Sequence, residues 1–162
     1  LGWSTDYLAR IQAGKPIITH GDGNSFWVAC HADDVARAFV HAVGKTHTLG
    51  KAYHVTGEAW MTWNQYHQIV AQAFGCQLPE VVHIPTQILY KLAPEKSFWA
   101  KVNFQFNNLF DNTLAKQDLD FSYTISWLDG ARGVINSLAG NIKDDDSYDA
   151  LIARWRELER NL

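Results

Sequence analysis

An α/β domain with a helical C-terminal layer is the fold class the sequence predicts. Three observations predict it. Short extended signals alternate with helical ones through the first half of the chain, helical signals dominate the second half, and turn residues punctuate nearly every boundary. The 162 residues suit one domain, and a 47% hydrophobic content with 13% aromatics is ample for a packed core.

The first helix is expected over residues 6–13, capped by Ser4 or Thr5, with Tyr7, Leu8 and Ile11 on one side and Gly14 and Pro16 beyond its end. Residues 16–20 are a strand, 21–24 a turn, and 26–31 a second extended run. Asp33 or Asp34 opens the next helix. Val35, Phe39 and Val43 recur at i, i+4 and i+8, with Ala36, Ala38 and Ala42 beside them, so one apolar stripe is expected up to Gly44. Residues 52–55 have a strand pattern closing on Thr56 and Gly57.

Thr62 and Gln65 have capping-box spacing before a helix that reaches Phe74 and ends at Gly75. A strand over 81–84 is broken by Pro85, and a shorter helix covers 87–92 up to Pro94. A helix loosening at Asn107 and Asn108 is expected over 97–110, and another over 114–119 begins at Asp111, Asn112 and Thr113. Ser126 and Asp129 cap a helix to Leu138. The last helix spans 147–158, with Tyr148, Leu151, Ile152, Trp155 and Leu158 on one face, after a solvated linker over 143–146. Residues 1–140 thus form the main unit, and 141–162 its linker and C-terminal amphipathic helix.

Composition narrows function by exclusion. A net charge of −3, with 14 basic and 17 acidic residues interspersed, leaves no basic face for phosphates, so nucleic acid is not a favoured partner. Cys30 and Cys76 form no C-x-x-C motif and are expected as free thiols in a reducing cytoplasm. No apolar run reaches membrane-spanning length, and no secretory signal is present. Leu1-Gly2-Trp3 followed at once by a helical pattern suggests a part of a longer protein.

No self-sufficient catalytic set emerges. Asp33 and Asp34 could share a proton, but neighbours at a helix start seldom converge on one atom, so capping is the expected role of both. The seven histidines show no metal-ligand spacing, and His31 is expected to bond the backbone or the nearby cap. No G-x-S-x-G elbow is present. Gly21-Asp22-Gly23 is a tight turn and lacks the strand-to-helix glycine loop that holds a pyrophosphate.

The order "GKPIITHGDG", "FWVACHADDVARAFVHAV", "GKAYHVTGEAWMTWNQYHQIVAQAFG", "EVVHIP" and "FDNTLAKQDLDFSYTISWLDGARGVINSL" resembles the C-terminal part of the extended short-chain dehydrogenase/reductase family. These are NAD-dependent epimerases and dehydratases, many acting on nucleotide sugars. The residues that match are Gly14, Pro16, Ile17, Gly21, Asp22, Gly23, His31, Asp34, Val35, Ala36, Tyr53, Val55, Gly57, Asp111, Thr113, Leu119, Phe121 and Gly130, and the likeness runs over 11–138.

The resemblance implies a substrate-binding portion that lacks the N-terminal Rossmann part. The family's G-x-x-G-x-x-G loop and Y-x-x-x-K pair are absent: Tyr66 is followed four positions on by Val70, Tyr90 by Pro94 and Tyr148 by Ile152. The resemblance therefore implies no cofactor bound by this chain alone, NAD or NADP in a parent protein, and an upstream Rossmann domain as partner. A small-molecule substrate, sugar-derived or otherwise, is implied too, and a homodimer is compatible with it.

In nucleotide-sugar epimerases an Arg seven residues before the helix-opening Asp contacts the substrate phosphates; Trp27 stands there, and an indole makes no forked bond to phosphate. A second phosphate-binding Arg of the family falls, by ungapped counting, on Lys101. Phe26, Trp27 and Trp99 would instead line an apolar or stacking pocket, with core packing as the competing role. By the same resemblance Asp34 is a structural cap beneath the pocket and Asp33 an acid at its rim. The reading that competes with a substrate-binding portion is a non-catalytic binding or regulatory module of the same superfamily.

Overall fold

The structure is a computed structural model and describes residues 5–138 and 141–161. Helix α1 (Asp6–Gln12) leads into strand β1 (Ile17–His20), a glycine turn and the short strand β2 (Phe26–Trp27). Helix α2 (Ala32–Ala42) and a 3₁₀ turn (Thr46–Thr48) precede β3 (Met61–Thr62) and helix α3 (Trp63–Phe74). Strand β4 (Val81–Ile84), α4 (Thr86–Leu92), α5 (Pro94–Trp99) and a π-helical turn (Ala100–Phe104) follow. Helices α6 (Thr113–Leu119), α7 (Trp127–Ser137) and α8 (Ser147–Glu159) complete the mixed α/β architecture with its helical C-terminal half.

Strands β1 and β4 pair in parallel, Ile17 opposite Val81 through His20 opposite Ile84. All four β1 residues are buried, because helices cover both faces. By the period-2 rule Ile17 joins the cluster built by α1 and α3, while Ile18 joins Val82, Ile84, Leu89 and the Tyr148, Ile152 and Trp155 of α8. A second ladder, antiparallel, sets Phe26 opposite Thr62 and Trp27 opposite Met61. Gly23 is at φ 70°, and a Cβ there would meet the Asn64 carboxamide at 2.3 Å, so the turn between β1 and β2 needs glycine for both backbone and space.

Local signals end the helices where expected. The Thr62 hydroxyl accepts from Gln65 N at 3.2 Å and the Gln65 carboxamide accepts from Thr62 N at 2.9 Å, while Gly75 closes α3 in the left-handed region. Ser126 Oγ accepts from Asp129 N at 3.1 Å and opens α7. At α2 the cap is His31, whose Nδ1 accepts from Asp33 N at 3.2 Å, and not the aspartates. Asp33 is exposed. Asp34 is fully buried and accepts from Thr124 N at 3.0 Å, Ile125 N at 3.1 Å, the Thr124 hydroxyl at 2.7 Å and Arg37. It ties a distant loop to α2 instead of capping its own helix.

Other expectations change for physical reasons. The apolar stripe of α2 is not buried: Phe39 is 74% and Val43 80% exposed, and small Ala38 makes the contact with Ala115 and Leu119 of α6. Residues 52–55 keep an alternating pattern, Tyr53 and Val55 inward, but among the described residues no strand pairs with them. Gly57 still sits so close to the chain that a Cβ would lie 1.9 Å from the Ala29 carbonyl oxygen. The helix expected over 97–110 stops early. Gln105 N bonds Ala100 O at 3.0 Å, a widened i→i+5 turn that frees the Phe104 carbonyl for His20 Nε2, Ser25 Oγ and Trp63 Nε1.

The expected solvated linker is an ion-pair hub. Asp144 accepts from Arg10 and Lys15, and Asp145 pairs with Lys96. Arg10 is fully buried, also donates to Pro16 O at 2.7 Å and to Asp149, and lies 5.2 Å from the Tyr148 ring centre. One guanidinium thus joins α1, the entry to β1, the linker and α8.

Replacing Asp34 by Ala leaves the Thr124 and Ile125 amides without their acceptor. Asp34→Ala is expected to lose about 2–4 kcal/mol of stability by urea unfolding, and Asp34→Asn less. A loss within the error of the measurement would contradict the clamp.

Candidate functional site

A pocket of about 450 Å³ opens where β2, α1, α3 and α7 meet. Alternation on β2 sends Trp27 toward it and leaves Phe26 39% exposed on the other side. On α3, Trp63 and Tyr66 are three residues apart and share one face. Trp127 is the first residue of α7, placed by the Ser126 cap and by the loop that Asp34 holds. Tyr7 and Leu8 of α1, residues 28–30, Phe104 and Val134 complete the wall.

The rings pack as edge and tilted pairs: Trp27 lies 5.2 Å from Trp63, 5.4 Å from Tyr66 and 5.7 Å from Trp127, and Tyr66 stacks on Trp127 at 5.0 Å. Each such pair contributes roughly 0.5–1.5 kcal/mol beyond area burial. The wall is therefore rigid.

Among the described residues no charged side chain lines this pocket. The Tyr7 and Tyr66 hydroxyls bond each other. Burial pushes the Tyr66 phenol up to about 12, and burial, then the neighbouring Tyr66, raises Tyr7 well above the usual phenol value. Both stay protonated near neutrality. Burial, then the Asp34 carboxylate, raises the Cys30 thiol against a smaller opposing effect of Arg37, so it is a neutral thiol and not a nucleophile. The wall can orient a ligand; it holds no group poised to take a proton.

Behind Tyr7 and Tyr66 is a second, smaller cavity of about 30 Å³, walled also by Thr19, His20 and His67. Thr19 Oγ1 and His67 Nδ1 are buried there without a hydrogen-bond partner among the described residues. Burial pushes the His67 imidazole down to about 3, and burial also lowers His20.

Of the residues singled out from sequence, only Trp27 lines the large pocket. Trp99 is 46% exposed and meets Phe98 edge-on, and Lys101 donates to Gln87 and sits 4.5 Å from the Tyr90 ring centre. Asp33 lies at the surface, and Asp34 lies behind the wall. Tyr7, Trp63, Tyr66 and Trp127 are pocket residues the sequence reading passed over. The i, i+3 pair Trp63 and Tyr66 beside the Thr62 cap carried a usable signal; Tyr7 and Trp127 carried none. Among the described residues no three His, Cys, Asp or Glu cluster as metal ligands, and no helix is long and apolar enough to cross a membrane.

No known family profile matches the chain. A UDP-glucuronic acid 4-epimerase from Bacillus cereus, solved with NAD, superposes with a TM-score of 0.62 at 17% identity over 83% of this chain and 39% of that one. A UDP-glucose 4-epimerase from Thermotoga maritima, solved with UDP-glucose, gives 0.64 at 19% identity over 83% and 38%. The fold is shared with part of these epimerases. At such identities the likeness is one of fold, and the chain spans about two fifths of their length. In sequence, 77 residues are 29% identical to the chloroplast stem-loop binding protein of 41 kDa b from Arabidopsis thaliana, covering 48% of this chain and 20% of that protein.

The described residues do not themselves fit a dinucleotide. The β1 turn leads to a strand and not a helix, β4 enters α4 through Pro85 without a glycine, and the α3 N-terminus is filled by its own capping box.

His67 gives the site a pH signature. Its folded value lies below the ~6.5 of an unfolded histidine, so its stabilising effect is complete above about pH 6.5 and is lost as pH falls from there toward 3. Unfolding free energy is expected to fall by up to about 1.4 kcal/mol per pH unit from this group, and His67→Phe to flatten that slope. Equal slopes in the two proteins, from urea unfolding between pH 7 and 5, would refute a neutral buried imidazole.

Proposed function

We propose that this chain is the substrate-binding portion of an NAD(P)-dependent oxidoreductase of the nucleoside-diphosphate-sugar epimerase/dehydratase type, and is not catalytic alone. The observation that carries the reading is a ring-lined pocket, without a charged side chain among the described residues, in a fold shared with about two fifths of two UDP-sugar epimerases. Such a wall positions a substrate for chemistry carried out by other groups.

The groups for hydride and proton transfer would come from an upstream Rossmann domain. Two features support that partner. Phe39, Val40 and Val43 on α2 offer an uncovered apolar face, and residues 52–55 present an extended segment with no strand beside it among the described residues. Both are surfaces a neighbouring sheet and its helices would satisfy.

A second reading, a non-catalytic binding module, is favoured by one observation: the relative aligned over 77 residues is a stem-loop binding protein. Against it, most basic side chains here are held in ion pairs with carboxylates, which leaves few free to release counterions from a phosphate backbone.

Calorimetric titration of NAD⁺ and NADH into the isolated chain is expected to show no saturable heat. Micromolar binding would overturn the division of labour proposed here. A salt-sensitive gel shift of a stem-loop RNA by the same protein would move the balance to the second reading.

A further inference from the structure

Charge decides what can enter the aromatic pocket. A phosphate group leaving water needs cationic or multiple N–H partners, and none of the side chains on this wall is basic. The basic residues of the nearest elements are engaged by acids: Arg37 by Asp34, Arg10 by Asp144 and Asp149, and Arg132 of α7 by Asp129. Indole faces, in contrast, attract the weakly positive C–H groups of a ring and the edges of aromatic rings. A volume of about 450 Å³ lies within the range of small-molecule sites.

The polar side of the pocket is a pair of hydroxyls. Tyr7 and Tyr66 wall this pocket with their hydroxyls bonded to each other, and Trp127 Nε1 on the same wall is buried without a hydrogen-bond partner among the described residues. A ligand oxygen brought to that wall can accept from the Trp127 indole, so an oxygen-bearing ring has an advantage over a bare hydrocarbon.

We infer that the pocket formed by Trp27, Trp63, Tyr66 and Trp127 seats a neutral, hydroxyl-bearing ring and no phosphate group. The inference rests on the substrate-binding reading and names the part of the ligand this wall recognises. A charged portion of the same ligand would be held by other elements.

Correlation spectra of the ¹⁵N-labelled indole N–H groups test it, with methyl β-D-glucopyranoside, phenol and sodium pyrophosphate as probes at constant ionic strength. At least one ring probe is expected to move the Trp27 and Trp127 signals saturably, and pyrophosphate at equal concentration to leave them in place. A response to the glucoside alone assigns a sugar ring; a response to phenol alone assigns a planar aromatic one. Val134 is 49% exposed at the pocket wall, so Val134→Phe narrows the site without touching the core and is expected to weaken ring binding by roughly fivefold or more. Salt-sensitive, saturable shifts of these signals by pyrophosphate, or no response to either ring probe, would overturn the inference. The NAD titration reads cofactor binding and not the indole signals, so its failure and the failure of the ring assignment are distinguishable.

Discussion

The arrangement of the site depends on one buried carboxylate. Asp34 has no solvent access, yet hydrogen bonds from Thr124 and Ile125, together with Arg37, outweigh the effect of burial and hold its pKa below the usual carboxylate range. The two amides it binds immediately precede Ser126, the cap of α7, and Trp127 is the next residue. The position of an indole in the pocket is thus set by an acid on a different helix, which binds a loop residue 90 positions later in the chain. Removing a charge from water is worthwhile here because several donors converge on it at once.

Around that anchor the framework is divided between two faces of one short strand. Ile17 and Ile18 of β1 commit to opposite clusters, the first to the helices that carry the pocket and the second to α4 and α8. Arg10 links the two sides, since its guanidinium reaches the chain entering β1 and the carboxylates before and within α8. The widened turn ending at Phe104 performs a similar task, offering one carbonyl to β1, to the glycine turn and to α3. The pocket is held by long-range polar contacts as much as by ring packing.

That construction leaves the described wall without a group poised to exchange a proton. Phenols kept protonated by burial, a thiol kept neutral and a wall without charge give no proton relay. Among the described residues, Thr19 Oγ1 and His67 Nδ1 are unsatisfied behind the aromatic wall and Trp127 Nε1 within it, and Phe39 and Val40 stand exposed on α2.

The sequence by itself determined what depends on near neighbours. The Thr62–Gln65 box, the glycine ends, the Ser126 cap, the β1 and β4 segments and the bond of His31 to the adjacent backbone are all matters of three or four residues and a hydroxyl, ring nitrogen or missing side chain in reach. Tertiary structure alone decided which face of α2 is covered, that Asp34 clamps a loop and caps nothing, that residues 143–146 carry ion pairs, and that Trp127 meets Trp27, 100 positions away in the chain. Amphipathic spacing shows that a face wants a partner without naming one, and a carboxylate has the same letter whether water or two distant amides surround it. Those choices are made by elements that approach only once the chain has folded.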